Sequence, residues 1–193
     1  MTWLNIAAIV DATQAEGPGI RTAIWVQGCL KRCPSCCNPE FLKIKPTNLI
    51  EVEQLKQQIN TNKQQFNIEG ITLLGGEPVL QAQGLAELAQ YAHSIDLTVM
   101  LFTGYKSQEL DEHQFKGINK LLKFTDVVVD GEFEIDVVEQ KRNWVGSDNQ
   151  KFHYITNKYD SSIELMPDTT TNEWRINDKG QVSANGLPFI VKL

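Results

Sequence analysis

Between residues 70 and 131 the chain repeats one arrangement: a short apolar run, a turn carrying glycine and polar side chains, then helical spacing. Residues 70–74 end in Gly75-Gly76-Glu77-Pro78 and lead to a helix predicted over 82–93, with Leu85, Leu88 and Ala92 on one face. Residues 97–102 end in Thr103-Gly104-Tyr105 and lead to a helical stretch over 107–122, broken near Gly117. Residues 126–129 end in Asp130-Gly131-Glu132-Phe133. Apolar strands alternating with helices predict a parallel sheet, because parallel neighbours need a long crossover between them. Ligands in such folds sit at the carboxyl ends of the strands, which is where these turns fall.

Residues 4–9 and 22–27 also read as strands, joined through the turn Glu16-Gly17-Pro18-Gly19-Ile20-Arg21. A helix predicted over 50–66 has Thr47 or Asn48 as its cap, with Leu55 and Ile59 on its apolar face. Residues 151–156 read as a strand, and 173–176 and 181–183 flank Asn177-Asp178-Lys179-Gly180 as a β-hairpin. The expected fold class is α/β, with a core over residues 1–160 and a C-terminal β-hairpin over 161–193 packed on the same domain. With 193 residues, 41% of them hydrophobic, the chain can bury a real core. A net charge of −6 argues against a general nucleic-acid binder, whose surface is basic. No apolar run reaches the length of a membrane span, and the N-terminus lacks the basic start and cleavage site of a secretory signal. A cytoplasmic protein, with neither membrane nor nucleic acid as partner, is expected.

All four cysteines lie between positions 29 and 37, so nothing distant is available for a disulfide framework. Cys29, Cys33 and Cys36 put three thiolates on one short loop. A closed four-iron cluster takes four protein ligands, so three leave one iron open. The competing reading is a structural zinc site with Cys37 as fourth ligand, although adjacent Cys36 and Cys37 would both have to face one ion. Glycines at 75 and 76 allow backbone to approach a ligand closely, and Glu77 adds a carboxylate suited to an ammonium group. A turn able to hold an amino acid head group, beside a cluster with an open iron, points to a bound amino acid derivative.

Taken together, these residues resemble the radical S-adenosylmethionine (SAM) superfamily, and within it the glycyl-radical-activating enzymes. The anaerobic ribonucleotide reductase activating proteins look most similar. The resemblance runs from Gly17 to about Gln150. It includes Gly17-Pro18-Gly19-Ile20-Arg21, Gly28-Cys29, Cys33-Pro34-Ser35-Cys36 with Asn38, the Gly75–Pro78 turn, Thr103-Gly104-Tyr105, Asp130-Gly131-Glu132-Phe133 and Gly146-Ser147-Asp148-Asn149-Gln150, in that order. Ser35, Cys37 and Val145 depart from the residues usual in these groups, and the tail from Ser161 onward is not part of the minimal pattern.

The resemblance implies a small partial (β/α) barrel of the radical SAM type. It implies a [4Fe–4S] cluster on Cys29, Cys33 and Cys36, with the amino and carboxylate groups of SAM on the fourth iron. Gly75, Gly76, Glu77 and Pro78 would receive the methionine amino group, and Asn38, Thr103 and Asp130 would contact cofactor or substrate. Asn38 serves equally well as a loop-turn cap, and Thr103 and Asp130 as caps of the next element. The implied reaction is reductive cleavage of SAM to methionine and a 5′-deoxyadenosyl radical, which takes a hydrogen atom from a glycine of a partner glycyl radical enzyme. The alternatives are a radical enzyme acting on a small molecule or peptide, such as a 7-deazaguanine-type synthase, and a non-catalytic iron–sulfur or zinc module. Lys31, Arg32, Lys43 and Lys45 either form a docking patch for flavodoxin or ferredoxin as electron donor or belong to an ordinary solvated loop.

Overall fold

The computed structural model describes residues 1–113, 115–167, 169–170 and 172–186. A seven-stranded sheet forms its centre. Its strands are β1 (Trp3–Thr13), β2 (Arg21–Val26), β3 (Leu49–Glu51), β4 (Gly70–Gly75), β5 (Thr98–Thr103), β6 (Val127–Asp130) and β7 (Lys151–Tyr154), in the order β3-β1-β2-β4-β5-β6-β7. The four middle strands, β2, β4, β5 and β6, are parallel, while β1, β3 and β7 run antiparallel to their neighbours. The expected parallel sheet is therefore its centre, flanked by antiparallel edges.

Helices α1 (Val52–Phe66), α2 (Ala82–Ser94) and α4 (Ile118–Lys123), with the shorter α3 (Ser107–His113), make the crossovers. Strand alternation divides the core in two. Val99, Leu101 and Val128 face the helices, where they meet Leu55, Ile59, Leu85, Leu88 and Leu121. Met100, Val127 and Val129 face the other way, under Trp144, Val145 and Ile163. Each fully buried leucine or isoleucine in such a layer contributes about 1.5–3 kcal/mol of transfer free energy. The break near Gly117 falls between α3 and α4, where Gly117 caps α4 at φ 91°.

One expected cap differs. Glu51 and Gln54 form a reciprocal capping box on α1, while residues 49–51 pair with β1 as β3. That pairing draws the helix start past Thr47, whose backbone N–H instead donates to Asn5 Oδ1 at 2.9 Å. The C-terminal hairpin is present as β8 (Asn172–Ile176) and β9 (Val182–Gly186), a separate two-stranded antiparallel sheet. Among the described residues, no helix is long and apolar enough to cross a membrane.

Candidate active site

The loop after β2 is closed at its base by backbone bonds. Gly28 N–H donates to Phe41 O at 2.8 Å and Cys29 N–H to Leu42 O at 3.2 Å. The Gln27 side-chain amide braces the same base through Glu40 O and Lys43 O. Inside the loop, Arg32 and Ser35 adopt left-handed φ of 53° and 59°, and Cys36 N–H turns back to Cys33 O. This geometry presents Cys29, Cys33 and Cys36, together with the adjacent Cys37, to one cavity of about 1070 Å³. All four cysteines are free thiols.

The Gly75–Pro78 turn lies against the base of that loop. Gly76 N–H donates to Val26 O and Glu77 N–H to Gly28 O, both at 2.8 Å. A Cβ on Gly75 would sit 2.3 Å from Val26 N, and one on Gly76 2.4 Å from Gly28 O. The glycine pair is thus what allows the turn to lie flush beside Cys29. Glu77, 1% exposed, accepts from Thr103 Oγ1 (2.8 Å) and Val79 N–H (3.2 Å) on one oxygen and from Gly104 N–H (2.8 Å) on the other. A carboxylate has about four lone-pair sites, so three donors leave it one. Burial pushes the Glu77 carboxyl up to about 7, against the pull of these donors and of Lys31.

Charged side chains at the rim are paired. Lys31 Nζ bridges Glu109 (2.6 Å) and Glu132 (3.0 Å) and lies 4.4 Å from the centre of the Tyr105 ring. Its side chain is only 13% exposed, which removes it from the set of basic groups free to meet an electron donor. Arg32, Lys43 and Lys45 remain exposed. Glu132 Oε2 also reaches Cys33 Sγ at 3.6 Å. Burial, reinforced by that carboxylate, pushes the Cys33 thiol up to about 11, and burial pushes Cys29 up as well. A hydrogen bond from Cys37 lowers Cys36 and raises Cys37 itself. A bound cation reverses such burial effects by deprotonating its thiols outright.

Of the residues expected at the site, Cys29, Cys33, Cys36, Asn38, Gly75, Gly76, Glu77 and Thr103 line the cavity. Asn38 Nδ2 approaches Cys37 Sγ at 3.4 Å and makes no side-chain cap on the following 3-10 turn. Thr103 supports Glu77. Pro78 is buried and opens the 3-10 turn Pro78–Gln81, which Glu77 caps. Asp130 accepts from Ser107 N–H at 2.8 Å, at the start of α3, and is not on the cavity wall. Gln150 accepts from Gly146 and Ser147 N–H and donates to Gly131 O, while Asn149 donates to Glu132 O. These two side chains tie the 146–150 segment to the strand-end turn after β6.

Sequence reasoning did not single out Glu16, Trp144 or the hairpin residues Trp174 and Ala184, which also line the cavity. Trp144 Nε1 is buried with no hydrogen-bond partner. The only available signal was in β8, where Trp174 and Ile176 alternate with charged neighbours.

The donors present fit an iron–sulfur cluster: free thiols of Cys29, Cys33 and Cys36 lie on one cavity wall, and a cluster asks one thiolate per iron.

Comparison with known proteins agrees. Residues 15–153 match the family described as a 4Fe-4S single cluster domain. An anaerobic ribonucleoside-triphosphate reductase-activating protein of Escherichia coli K12 is 30% identical over 146 residues, covering 72% of this chain and 92% of the relative. The protein of that name from Pasteurella multocida is 30% identical over 160 residues, covering 79% and 99%. That of Enterobacteria phage T4 is 29% identical over 153 residues, covering 77% and 92%.

Proposed function

The chain belongs to the 4Fe-4S single-cluster family of anaerobic ribonucleoside-triphosphate reductase-activating proteins, and on that premise we propose that it is a radical SAM activase of a partner glycyl radical enzyme. Cys29, Cys33 and Cys36 would hold the [4Fe–4S] cluster, and the Gly75–Glu77 turn would hold the methionine end of SAM. Held by these residues, a reduced cluster would supply the one electron needed for reductive cleavage of SAM to methionine and a 5′-deoxyadenosyl radical, which would take a hydrogen atom from a glycine of the partner.

The protein's own part is positioning. Gly76 and Glu77 N–H groups lock the turn to Val26 and Gly28, one residue from Cys29. Thr103 and Gly104 fix the Glu77 carboxylate, whose remaining lone pair suits an ammonium donor. An adjacent positive charge favours the ionised carboxylate, offsetting the burial that raises its pKa. Trp144 Nε1 offers an unpaired donor on the cavity wall.

In this reading the open sheet is a partial barrel of the radical SAM type, residues 1–160 are the catalytic unit and residues 161–193 extend it. Flavodoxin or ferredoxin would be the donor, meeting the exposed Arg32, Lys43 and Lys45, and the protein would work in the cytoplasm. The observation that carries the proposal is the backbone connection between the glycine turn and the cysteine loop. The test is anaerobic reconstitution with iron and sulfide, followed by dithionite and SAM. Methionine and 5′-deoxyadenosine should form, and adding the partner reductase should give a glycyl-radical EPR signal. Tightly bound zinc without cluster absorbance would contradict the proposal.

A further inference from the structure

The C-terminal hairpin is turned the unusual way round. Opposite residues on paired antiparallel strands share a face, so Trp174 and Ala184 lie on one side with Ile176 and Val182. Glu173, Arg175 and Asn185 lie on the other. It is the polar side that holds the body. Gln14 N–H donates to Glu173 at 2.7 Å, Arg175 donates to Ala12 O at 3.2 Å, and Asn185 Nδ2 donates to Thr13 Oγ1 and Glu16 Oε1, each at 3.0 Å. The apolar side faces outward, with Trp174, Ile176 and Val182 at 60%, 74% and 58% exposure. A small hairpin that spends its polar face on the body and leaves its apolar face open carries an interaction surface.

Two further observations say what covers it. The wall of the cavity lined by the cysteines includes Trp174 and Ala184 of this face, together with Ser183 and Asn185 of the polar one. Ile135 and Val138 line the same cavity while 38% and 48% exposed, so its wall carries further open apolar side chains. Among the described residues the hairpin is also a two-stranded sheet, each strand paired on one side. Unpaired strand edges beside apolar side chains take up extended polypeptide by strand addition.

We propose that the apolar face of the 172–186 hairpin docks the extended, apolar chain segment that carries the partner's reacting glycine, and so selects the partner. This rests on the activase reading above. The hairpin lies outside the 15–153 stretch that matches the family.

The test uses the full reconstituted chain with Ile176→Lys and Val182→Glu together. These positions are cross-strand partners, so opposite charges keep the hairpin paired while removing the apolar face. SAM cleavage by dithionite without partner should be unchanged, because neither residue lines the cavity. The partner concentration giving half-maximal glycyl radical should rise tenfold or more, and the single Ile176→Val should behave as wild type. Unchanged partner dependence in the doubly charged variant overturns the docking proposal while leaving the activase reading intact. Failure of the wild type to cleave SAM overturns the activase reading instead. Trp174 emission, obtained by subtracting a Trp174→Phe variant, should shift to the blue when partner is added. Emission already blue in the free chain, and moved to the red by removing residues 187–193, would assign the face to the chain's own tail and overturn the proposal. A dimer that the doubly charged variant dissociates would likewise assign it to a second copy.

Discussion

The parallel strands have two ends, and the protein uses them in opposite ways. At their amino ends Arg21, wholly buried, has its guanidinium bound by Thr72 Oγ1 (2.8 Å), Pro18 O (3.2 Å), Thr98 Oγ1 (3.0 Å), Tyr159 Oη (3.2 Å) and Ile71 O (2.7 Å). Gly17 and Gly70 are pressed against it, where any Cβ would lie within 2.8 Å of the arginine. At the carboxyl ends the cysteines are free thiols around an open cavity, and Glu77 takes three donors with a lone pair to spare. A saturated end holds the sheet together; an end with uncommitted donors can hold a ligand.

Two substitutions should separate these roles. Cys36→Ala carries the largest expected effect: cluster absorbance and SAM cleavage are lost, while stability to urea changes by no more than about 1 kcal/mol, as for a half-exposed side chain. Arg21→Leu should show the reverse pattern. It strands the acceptors around the guanidinium and should cost about 3–5 kcal/mol in urea denaturation. Cleavage per folded molecule should be unaffected. Loss of cleavage in folded Arg21→Leu protein would show that the two ends are coupled and break the comparison.

Gly75→Ala probes the seam between the ends. Its Cβ would strike Val26 N at 2.3 Å, at a φ of 123° that suits only glycine. The expected cost is about 1–3 kcal/mol in thermal or urea unfolding, with a raised KM for SAM as the turn moves off the cysteine loop. Gly104→Ala is the control for stability, since its Cβ would meet only side chains, Glu77 and Lys31 nearest at 3.4 Å. Equal effects on stability at both positions would mean that backbone contact with β2 is not what places the turn.

That the cysteine loop, the glycine turn and Thr103 would share one cavity was legible in the sequence because the signals are local: cysteine spacing, a glycine pair and strand-end turns. Strands and helices were legible for the same reason, through period and punctuation. The amino-end knot was not. Arg21 stood in the quoted Gly17–Arg21 motif, but its partners come from positions 18, 71, 72, 98 and 159, and only the folded sheet brings them together. Asp130, a strand-end carboxylate expected to meet cofactor or substrate or to cap the next element, instead accepts from Ser107 N–H at the start of α3, which precedes it in the chain. Strand ends supply helix caps as readily as ligands, and sequence position alone does not separate them. The hairpin's inverted faces were hidden too, since alternation shows that two faces exist but not which one meets the body.

Glu16 joins the amino-end turn to the hairpin, and its effect depends on pH. Burial pushes its carboxyl from an ordinary value near 4.5 up to about 7; Asn185 and Gly186 pull it down, Glu173 raises it and Arg175 lowers it. A folded-state pKa above the unfolded one means that the protonated form stabilises. That stability is complete below about pH 4.5 and is lost as pH rises toward 7. Glu16→Gln should remove this slope and raise stability at pH 8 by on the order of 2–3 kcal/mol, from a shift of roughly two units. Unfolding midpoints measured from pH 4 to 8 check this. An unchanged slope in the variant would mean that the hairpin contact leaves Glu16 hydrated.

Cys37→Ala should have the smallest effect, and it tests how open the carboxyl end is. Cys37 is exposed, and its thiol bonds to Cys36 so that Cys36 ionises more readily and Cys37 less readily. Of two adjacent thiols, the one that ionises first is the better metal ligand. In the proposed site Cys36 would be the third ligand, and Cys37 would stay a thiol beside it, approached by Asn38 Nδ2 at 3.4 Å. The variant should keep its cluster absorbance and its SAM cleavage, with stability within about 0.5 kcal/mol of wild type. Loss of the cluster would make Cys37 a fourth ligand. The carboxyl end would then be as saturated as the Arg21 end, with no iron position left for SAM.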